Sequence, residues 1–263
     1  MKHLIFYFSG TGNSLHAAKT IGKAFRPCRI QSMSCPVCPS LTGTYESIGF
    51  IYPTYFQGLP RQAERFIRQL DLSQCRCEYV YGITTFGELS GNALSQLNGL
   101  LCQKGQALHY SAKLKMFSNY VVMYDLSRKL EQKTIQADQA LQHIVEDLRM
   151  KTIKQTRRNI PLLDRYYRWQ IQRAQTSDRH YQISQACVSC NLCEKVCPVN
   201  NIEMHDGQPA FLNHCEQCLA CVQYCPEKAI NFKEKTQKRR RYHHPEIPAA
   251  TLIQSNRQRQ EWG

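Results

Sequence analysis

Eight of the chain's 14 cysteines fall into two runs near its C-terminus. The first is Cys187, Cys190, Cys193 and Cys197, followed at once by Pro198. The second is Cys215, Cys218, Cys221 and Cys225, followed by Pro226. The second run repeats the first at an offset of 28 residues, and Ile202 and Ile230 share that offset. Thiolates are soft ligands that suit iron–sulfur chemistry. Three of them at i, i+3 and i+6 on a tight loop can wrap one face of a four-iron cubane. The fourth iron then needs a ligand from elsewhere, because the local chain is used up. The prolines end each loop and turn the chain away. A disulfide framework belongs to small secreted domains. Here the opening Leu4-Ile5-Phe6-Tyr7-Phe8 is too short for a signal peptide's apolar region. Zinc sites usually pair two CxxC knuckles, or cysteine with histidine, not three closely spaced cysteines plus a fourth.

A second set of residues could hold a phosphate and a flat ring. Ser9-Gly10-Thr11-Gly12-Asn13-Ser14 offers hydroxyls, glycines that let backbone approach an anion, and the start of a helix. The segment is not a P-loop, since no Gly-Lys-Ser/Thr follows. It also lacks the third glycine of a dinucleotide fingerprint, because Leu15 stands there. A monophosphate suits it. Two further loops, Pro53 to Pro60 and Thr84 to Asn92, each combine glycine with an aromatic ring.

These loops need elements to position them. His3 to Phe8, Ser47 to Tyr52 and Tyr79 to Thr84 read as apolar strands. Asn13 to Phe25, Pro60 to Leu70 and Asn92 to Lys104 read as helices, with Pro60 suited to a first turn. Apolar strands alternating with helices indicate a parallel sheet covered on both faces. In such sheets ligands bind at the carboxyl ends of the strands, where all three loops fall. Asp125 to Arg158 lacks glycine and proline and shows apolar residues at helical spacing. The spacing predicts one long amphipathic helix or two shorter ones lying on the sheet.

The cysteine runs resemble those of bacterial ferredoxins with two iron–sulfur clusters, in which the fourth cysteine of each run ligates the other cluster. The resemblance implies one [4Fe-4S] cluster on Cys187, Cys190, Cys193 and Cys225, and a second on Cys215, Cys218, Cys221 and Cys197. Ser9 to Ser14 resembles the FMN phosphate loop of flavodoxins, and the two aromatic loops resemble that fold's isoalloxazine loops. The whole chain is similar to flavodoxin–ferredoxin fusion proteins, and Arg241-Tyr242-His243-His244-Pro245-Glu246 looks like part of the same pattern. The resemblance implies an α/β architecture: a flavodoxin-like, doubly wound, parallel five-stranded sheet, then a small α+β ferredoxin-like domain. It places an FMN domain in residues 1–158, a connector in 159–181, a two-cluster domain in 182–235 and a basic tail in 236–263. It implies FMN held by Ser9, Thr11, Gly12, Asn13, Ser14, Pro53, Thr54, Tyr55, Phe56, Thr85, Phe86, Gly87, Gly91 and Asn92. Tyr55, Phe86 and Gly87 would flank the ring. Flavodoxins are typically acidic, whereas this chain carries a formal net charge of +14. Only Glu88 is charged in the three loops, so the flavin is expected to be easier to reduce than in an acidic flavodoxin.

The expected function is electron transfer between the clusters and FMN, and on to a redox partner with an acidic surface. No catalytic residue is singled out, since no serine sits in a G-x-S-x-G context. One alternative is an FMN-dependent reductase of a small substrate. Another is a redox or iron sensor that binds nucleic acid through the tail, although Lys238-Arg239-Arg240-Arg241 is shorter than the usual basic signal. No apolar stretch reaches the ~18 residues of a membrane span, and the reduced thiols point to the cytoplasm. Ile160 to Ser184 is rich in Arg and aromatics and is expected to dock the two domains. Cys28, Cys35, Cys38, Cys75, Cys77 and Cys102 read as free thiols, with a redox CxxC or a third metal site at Cys35, Cys38, Cys75 and Cys77 as alternatives. His243 and His244 read as part of an ordered tail.

Overall fold

A computed structural model of the chain describes residues 3–35, 40–156 and 159–257. The first half alternates strands and helices: β1 (His3–Tyr7), α1 (Asn13–Ala24), β2 (Cys28–Ser32), β3 (Ser40–Tyr45), β4 (Ser47–Pro53), α2 (Arg61–Gln69), β5 (Asp71–Cys77), β6 (Val80–Phe86), α3 (Ala93–Cys102), β7 (Tyr110–Lys115) and α4 (Leu130–Arg149). Five of the strands form one sheet in the order β2-β1-β4-β6-β7. Every pairing in it is parallel. Renumbered within the sheet, that order is 2-1-3-4-5, which is flavodoxin-like.

The residue pattern explains the layering. Side chains of a strand point alternately to opposite faces. Leu4, Phe6 and Phe8 therefore join Phe50 and Tyr52 in a core closed by Ala63, Phe66 and Ile67 of α2 and Leu97 and Leu101 of α3. Ile5, Tyr7, Ile51 and Ile83 face the other way, onto Leu15, Ala18 and Ile21 of α1 and Leu141, Ile144, Val145 and Leu148 of α4. With both faces covered, β4 and β6 are buried along nearly their whole length, and they read as continuous apolar runs.

Several elements depart from the sequence reading. β2 and β7 form the sheet edges, and their mixed polarity hid them: β7 buries Tyr110, Ala112 and Leu114 but exposes Lys113 and Lys115. β3 and β5 make a separate parallel pair. Within 125–156 there is one helix, α4, as one of the two expected alternatives had it, but it runs only from Leu130 to Arg149, so Leu126 and Ile153 lie outside it and Ile153 is exposed. The expected connector holds a 15-residue helix, α5 (Pro161–Gln175), with proline in its first turn.

The remaining elements are β8 (Tyr181–Ile183), α6 (Leu192–Val196), β9 (Ile202–His205), β10 (Gln208–Phe211), α7 (Ala220–Tyr224), β11 (Ile230–Phe232) and α8 (Ala249–Arg257). β8 pairs antiparallel with β11, and β9 with β10. The 28-residue offset recurs in the backbone. Ser189 and Gln217, Asn191 and Leu219, and Asn200 and Lys228 all have positive φ between 51° and 64°. Leu219 is the least suited of these to that region. The residue types differ between the two halves while the loop geometry does not, as expected if the loop shape itself is what the cysteines require.

Candidate functional site

A cavity of about 370 Å³ opens at the carboxyl ends of β1, β4 and β6. That volume falls in the range of small-molecule and cofactor sites. Ser9, Thr11, Asn13, Ser14, Pro53, Thr54, Tyr55, Phe56, Thr85, Phe86 and Gly87 all line it. Gly12, Gly91 and Asn92 do not. Gly12 has φ +95° and packs beneath the tail, where a Cβ would lie 2.8 Å from Cβ of Ile247. Gly91 sits behind the second loop, and the Asn92 N–H donates to the Gln57 carbonyl at 2.8 Å. These three residues shape the loops rather than the surface of the cavity.

The polar groups of the first loop are fixed in place. The Gly12 N–H donates to Ser9 Oγ at 3.2 Å, and the Ser14 and Thr85 hydroxyls share a 2.8 Å hydrogen bond. Asn13 donates to the Phe117 carbonyl at 3.1 Å and accepts from the Tyr242 hydroxyl at 2.7 Å. Asn119 donates to Thr11 Oγ1. The first turn of α1 has no acidic residue, so nothing there opposes an anion. Burial pushes the Tyr55 phenol far above its usual pKa, so it stays neutral beside the cavity. Glu88 at the rim faces Lys115 at 3.6 Å. Hydroxyls, an unopposed helix start and aromatic walls in a cavity of this size fit a phosphate-bearing planar cofactor.

The eight cysteines separate into two groups. Cys187, Cys190, Cys193 and Cys225 line one hollow. Cys197, Cys215, Cys218 and Cys221 line another. Backbone N–H groups point at the sulfurs: Asn201 at Cys197 (3.2 Å), Gln217 at Cys215 (3.2 Å) and Ala229 at Cys225 (3.3 Å). Such bonds stabilise charge on a ligating sulfur. Burial pushes the thiols of Cys193 and Cys215 up to about 11 and about 12. Those of Cys218 and Cys221 stand well above their usual value for the same reason. Thiolates in such surroundings need a metal to hold their charge, so the donor set fits an iron–sulfur cluster.

The two regions meet. Cys218 and Gln217 belong to the cavity wall as well as to the second cysteine loop. A Cβ on Gly10 would stand 2.9 Å from both the Cβ and the carbonyl oxygen of Cys218. Glu216, 1% exposed, reaches the start of α2. Its carboxylate accepts the N–H groups of Arg61 (3.2 Å) and Gln62 (2.9 Å) and lies 3.4 Å from Arg61 Nε. The tail closes the other side: the His244 N–H donates to the Thr11 carbonyl at 2.8 Å, and the Tyr224 hydroxyl donates to the Ile247 carbonyl at 2.9 Å.

Several lining residues escaped sequence reasoning. Phe117 to Tyr120, Met123 and Tyr124 follow β7, whose mixed polarity gives no strand signal. Tyr166 and Gln170 come from α5, whose Pro161 was the available signal. Among the connector aromatics, Tyr167 docks, donating to the Leu59 carbonyl at 2.5 Å, while Trp169 is exposed. The guanidinium groups of Arg239, Arg240 and Arg241 donate to the carbonyls of Val121, Leu126 and Thr236, respectively. Cys75 and Cys77 lie on β5, Cys28 on β2 and Cys102 on α3. Pro36, Val37 and Cys38 fall outside the described residues. No helix among the described residues is long and apolar enough to cross a membrane.

Residues 186–230 match the family described as "4Fe-4S dicluster domain". No curated protein matches the chain. Among solved structures, a putative flavoprotein from Bacteroides uniformis is 22% identical and covers 43% of this chain and 90% of its own, with a TM-score of 0.34. A putative flavoprotein from Bacteroides eggerthii is 17% identical and covers 55% and 98%, with a TM-score of 0.35. Rubredoxin oxygen:oxidoreductase from Desulfovibrio gigas is 17% identical and covers 57% and 36%, with a TM-score of 0.33. These scores are low, and the character of the sheet rests on its own all-parallel 2-1-3-4-5 order. The chain thus joins a flavodoxin-like α/β fold to a small ferredoxin-like region that matches the 4Fe-4S dicluster family over residues 186–230.

Proposed function

We propose that this chain transfers electrons between two [4Fe-4S] clusters and FMN, and exchanges them with an external redox protein. One observation carries the reading: Cys218 stands in both the cavity wall and the second cysteine hollow. In this reading residues 1–158 hold the flavin and 182–235 the clusters, while 159–181 and 236–263 tie the two together. Bound flavin supplies a store for one or two electrons beside clusters that each pass one.

The chain's own groups set up that exchange. Ser9, Thr11, Asn13 and Ser14 hold the phosphate at the start of α1. Tyr55, Phe86 and Gly87 flank the ring. Tyr120 donates to Gln217 at 2.6 Å and so links the segment after β7 to the second cysteine loop. Cys197, Cys215, Cys218 and Cys221 form the inner ligand set, next to the cavity. Cys187, Cys190, Cys193 and Cys225 form the outer set, where Cys190 and Val188 are exposed to an incoming protein. The net charge of +14 favours a partner with an acidic surface. Reduced thiols on this scale suit the cytoplasm.

Anaerobic purification with iron, sulfide and flavin counted per chain tests the reading. About eight irons and one FMN are expected, four irons to each cubane. A count near four irons, or no flavin, would sink it. A second reading is a small-substrate reductase, favoured by the exposed Met123 and Leu89 at the cavity mouth. Steady-state turnover of a small acceptor without a protein partner distinguishes the two. The nucleic-acid reading is weakened because Arg239, Arg240 and Arg241 are engaged within the chain.

A further inference from the structure

Away from both cysteine hollows, three segments distant in sequence converge. His16 lies on α1, Asp138 on α4 and His244 in the tail. One ring nitrogen of each histidine and one oxygen of Asp138 all lie within 4.8 Å of one another. His16 Nε2 is 2.8 Å from Asp138 Oδ1, and His16 Nδ1 is 3.2 Å from Glu246 Oε2. The His16 and His244 rings stack with centroids 3.9 Å apart and planes inclined by 21°.

His244 is what requires an explanation. It is 1% exposed, yet its Nε2 has no hydrogen-bond partner. A buried polar atom left unpaired costs about 1–3 kcal/mol, and native proteins rarely tolerate it without a reason. The other nitrogen, Nδ1, accepts the Glu246 N–H at a long 3.3 Å.

We propose that His16, His244 and Asp138 form a binding site for a divalent first-row transition-metal ion. Two imidazole nitrogens and one carboxylate oxygen are a borderline donor set, suited to the Zn²⁺ class of ions and not to Mg²⁺ or Ca²⁺. The proton shared between His16 Nε2 and Asp138 Oδ1 at 2.8 Å leaves to solvent as the ion takes its place, and the His244 ring moves its proton from Nε2 to Nδ1. Each imidazole binds as the neutral ring through Nε2, with its proton on Nδ1. For His16 that proton then points at Glu246, the carboxylate–histidine arrangement that orients a metal-bound ring. For His244 the long Nδ1 contact is given up in exchange for the metal bond. Asp138 is partly exposed and Glu246 largely so, which leaves a path for the ion. The metal would bolt the tail to α1 one turn beyond the loop that His244 itself holds through Thr11. The site is separate from the cluster cysteines and the cavity, so it stands or falls independently of the flavin reading.

The test uses the full chain, purified anaerobically with its iron in place and treated with a chelator to remove adventitious metal. Zn²⁺ is titrated by calorimetry, and bound zinc is examined by X-ray absorption at the zinc edge. One zinc per chain is expected, in a nitrogen and oxygen shell with two imidazoles. Asp138→Asn and His244→Gln should each weaken binding by about tenfold or more while leaving iron content unchanged. Asp138→Asn is the safer variant for folding, since its side chain sits at the surface of α4. No bound zinc, a sulfur shell, or unchanged affinity in Asp138→Asn would each overturn the proposal.

Discussion

Gly10 and Cys218 are in direct contact, and only the missing side chain of Gly10 makes it possible. A Cβ there would stand 2.9 Å from Cβ of Cys218 and 2.9 Å from the Tyr55 hydroxyl. One residue belongs to the phosphate-type loop and the other to a cysteine run more than 200 positions later, so the distance between cavity and inner cysteines is set here. Gly10→Ala should push them apart, at an overpacking cost of about 1–3 kcal/mol. The measurement is single-turnover transfer between iron and flavin in anaerobic stopped flow. Slower transfer with full iron and flavin content is expected. An unchanged rate would mean that this contact does not set the route.

The phosphate loop predicts a split in cofactor content. Replacing both Thr11 and Asn13 should lose FMN and keep iron. Tyr242→Phe is a gentler probe, since it removes only the 2.7 Å bond to Asn13. It should cost about 1 kcal/mol, a few-fold in flavin affinity. Full flavin occupancy in the double variant would refute the loop's role.

Glu216 ties the second cysteine loop to the start of α2. Burial pushes its pKa up, but Arg61 and two backbone N–H groups favour the charged form. Glu216→Ala leaves the Arg61 and Gln62 backbone N–H groups without their acceptor and removes the carboxylate facing Arg61 Nε, while Arg61 Nη2 keeps the His214 carbonyl, and a loss of about 3 kcal/mol is expected. Anaerobic denaturant unfolding reads this directly. A loss under 1 kcal/mol would show that the clamp contributes little.

Asp164 gives α5 a dependence on pH. Burial pulls its pKa up, yet hydrogen bonds from Gln96 (2.7 Å) and Arg168 (2.9 Å) hold it below the usual carboxylate value. A depressed folded pKa means that this stabilisation is complete above the unfolded value of about 4 and is lost as pH falls through the folded one. Denaturant midpoints should therefore fall less on acidification in Asp164→Asn than in the parent protein. Equal falls would remove Asp164 from the account.

Glu88 is the charged residue of the three loops, and Lys115 at 3.6 Å offsets it. Lys115→Glu should make a bound flavin harder to reduce, through like charge at the rim. Spectroelectrochemistry of parent and variant measures the shift. A higher potential in the variant would contradict the expected sign.

What the sequence disclosed was chemistry written at short range. The cysteine runs and Ser9 to Ser14 carry their meaning within a few residues, and apolar β1, β4 and β6 announced a sheet covered on both faces. Long-range meetings left no such mark. Nothing near Cys218 indicates Gly10, and nothing near His16 indicates His244. β2 and β7 were hidden by their edge positions, where one side meets water and polar residues are tolerated. α5 was hidden by its arginines and exposed aromatics, which blur the helical period.

The return of Tyr242, His244 and Ile247 to the Ser9–Ser14 loop has a consequence for how the protein is made. Synthesis proceeds from the N-terminus, and domains generally fold as they emerge. The five-stranded sheet can assemble early, on the ribosome. Its Ser9–Ser14 loop must wait for residues 242–247, because Asn13 and Thr11 are braced by residues that emerge only after both cysteine runs. The order of translation thus delays completion of the cavity until residues 242–247 have emerged, and a product truncated before Tyr242 should be a folded sheet with a poorly formed site.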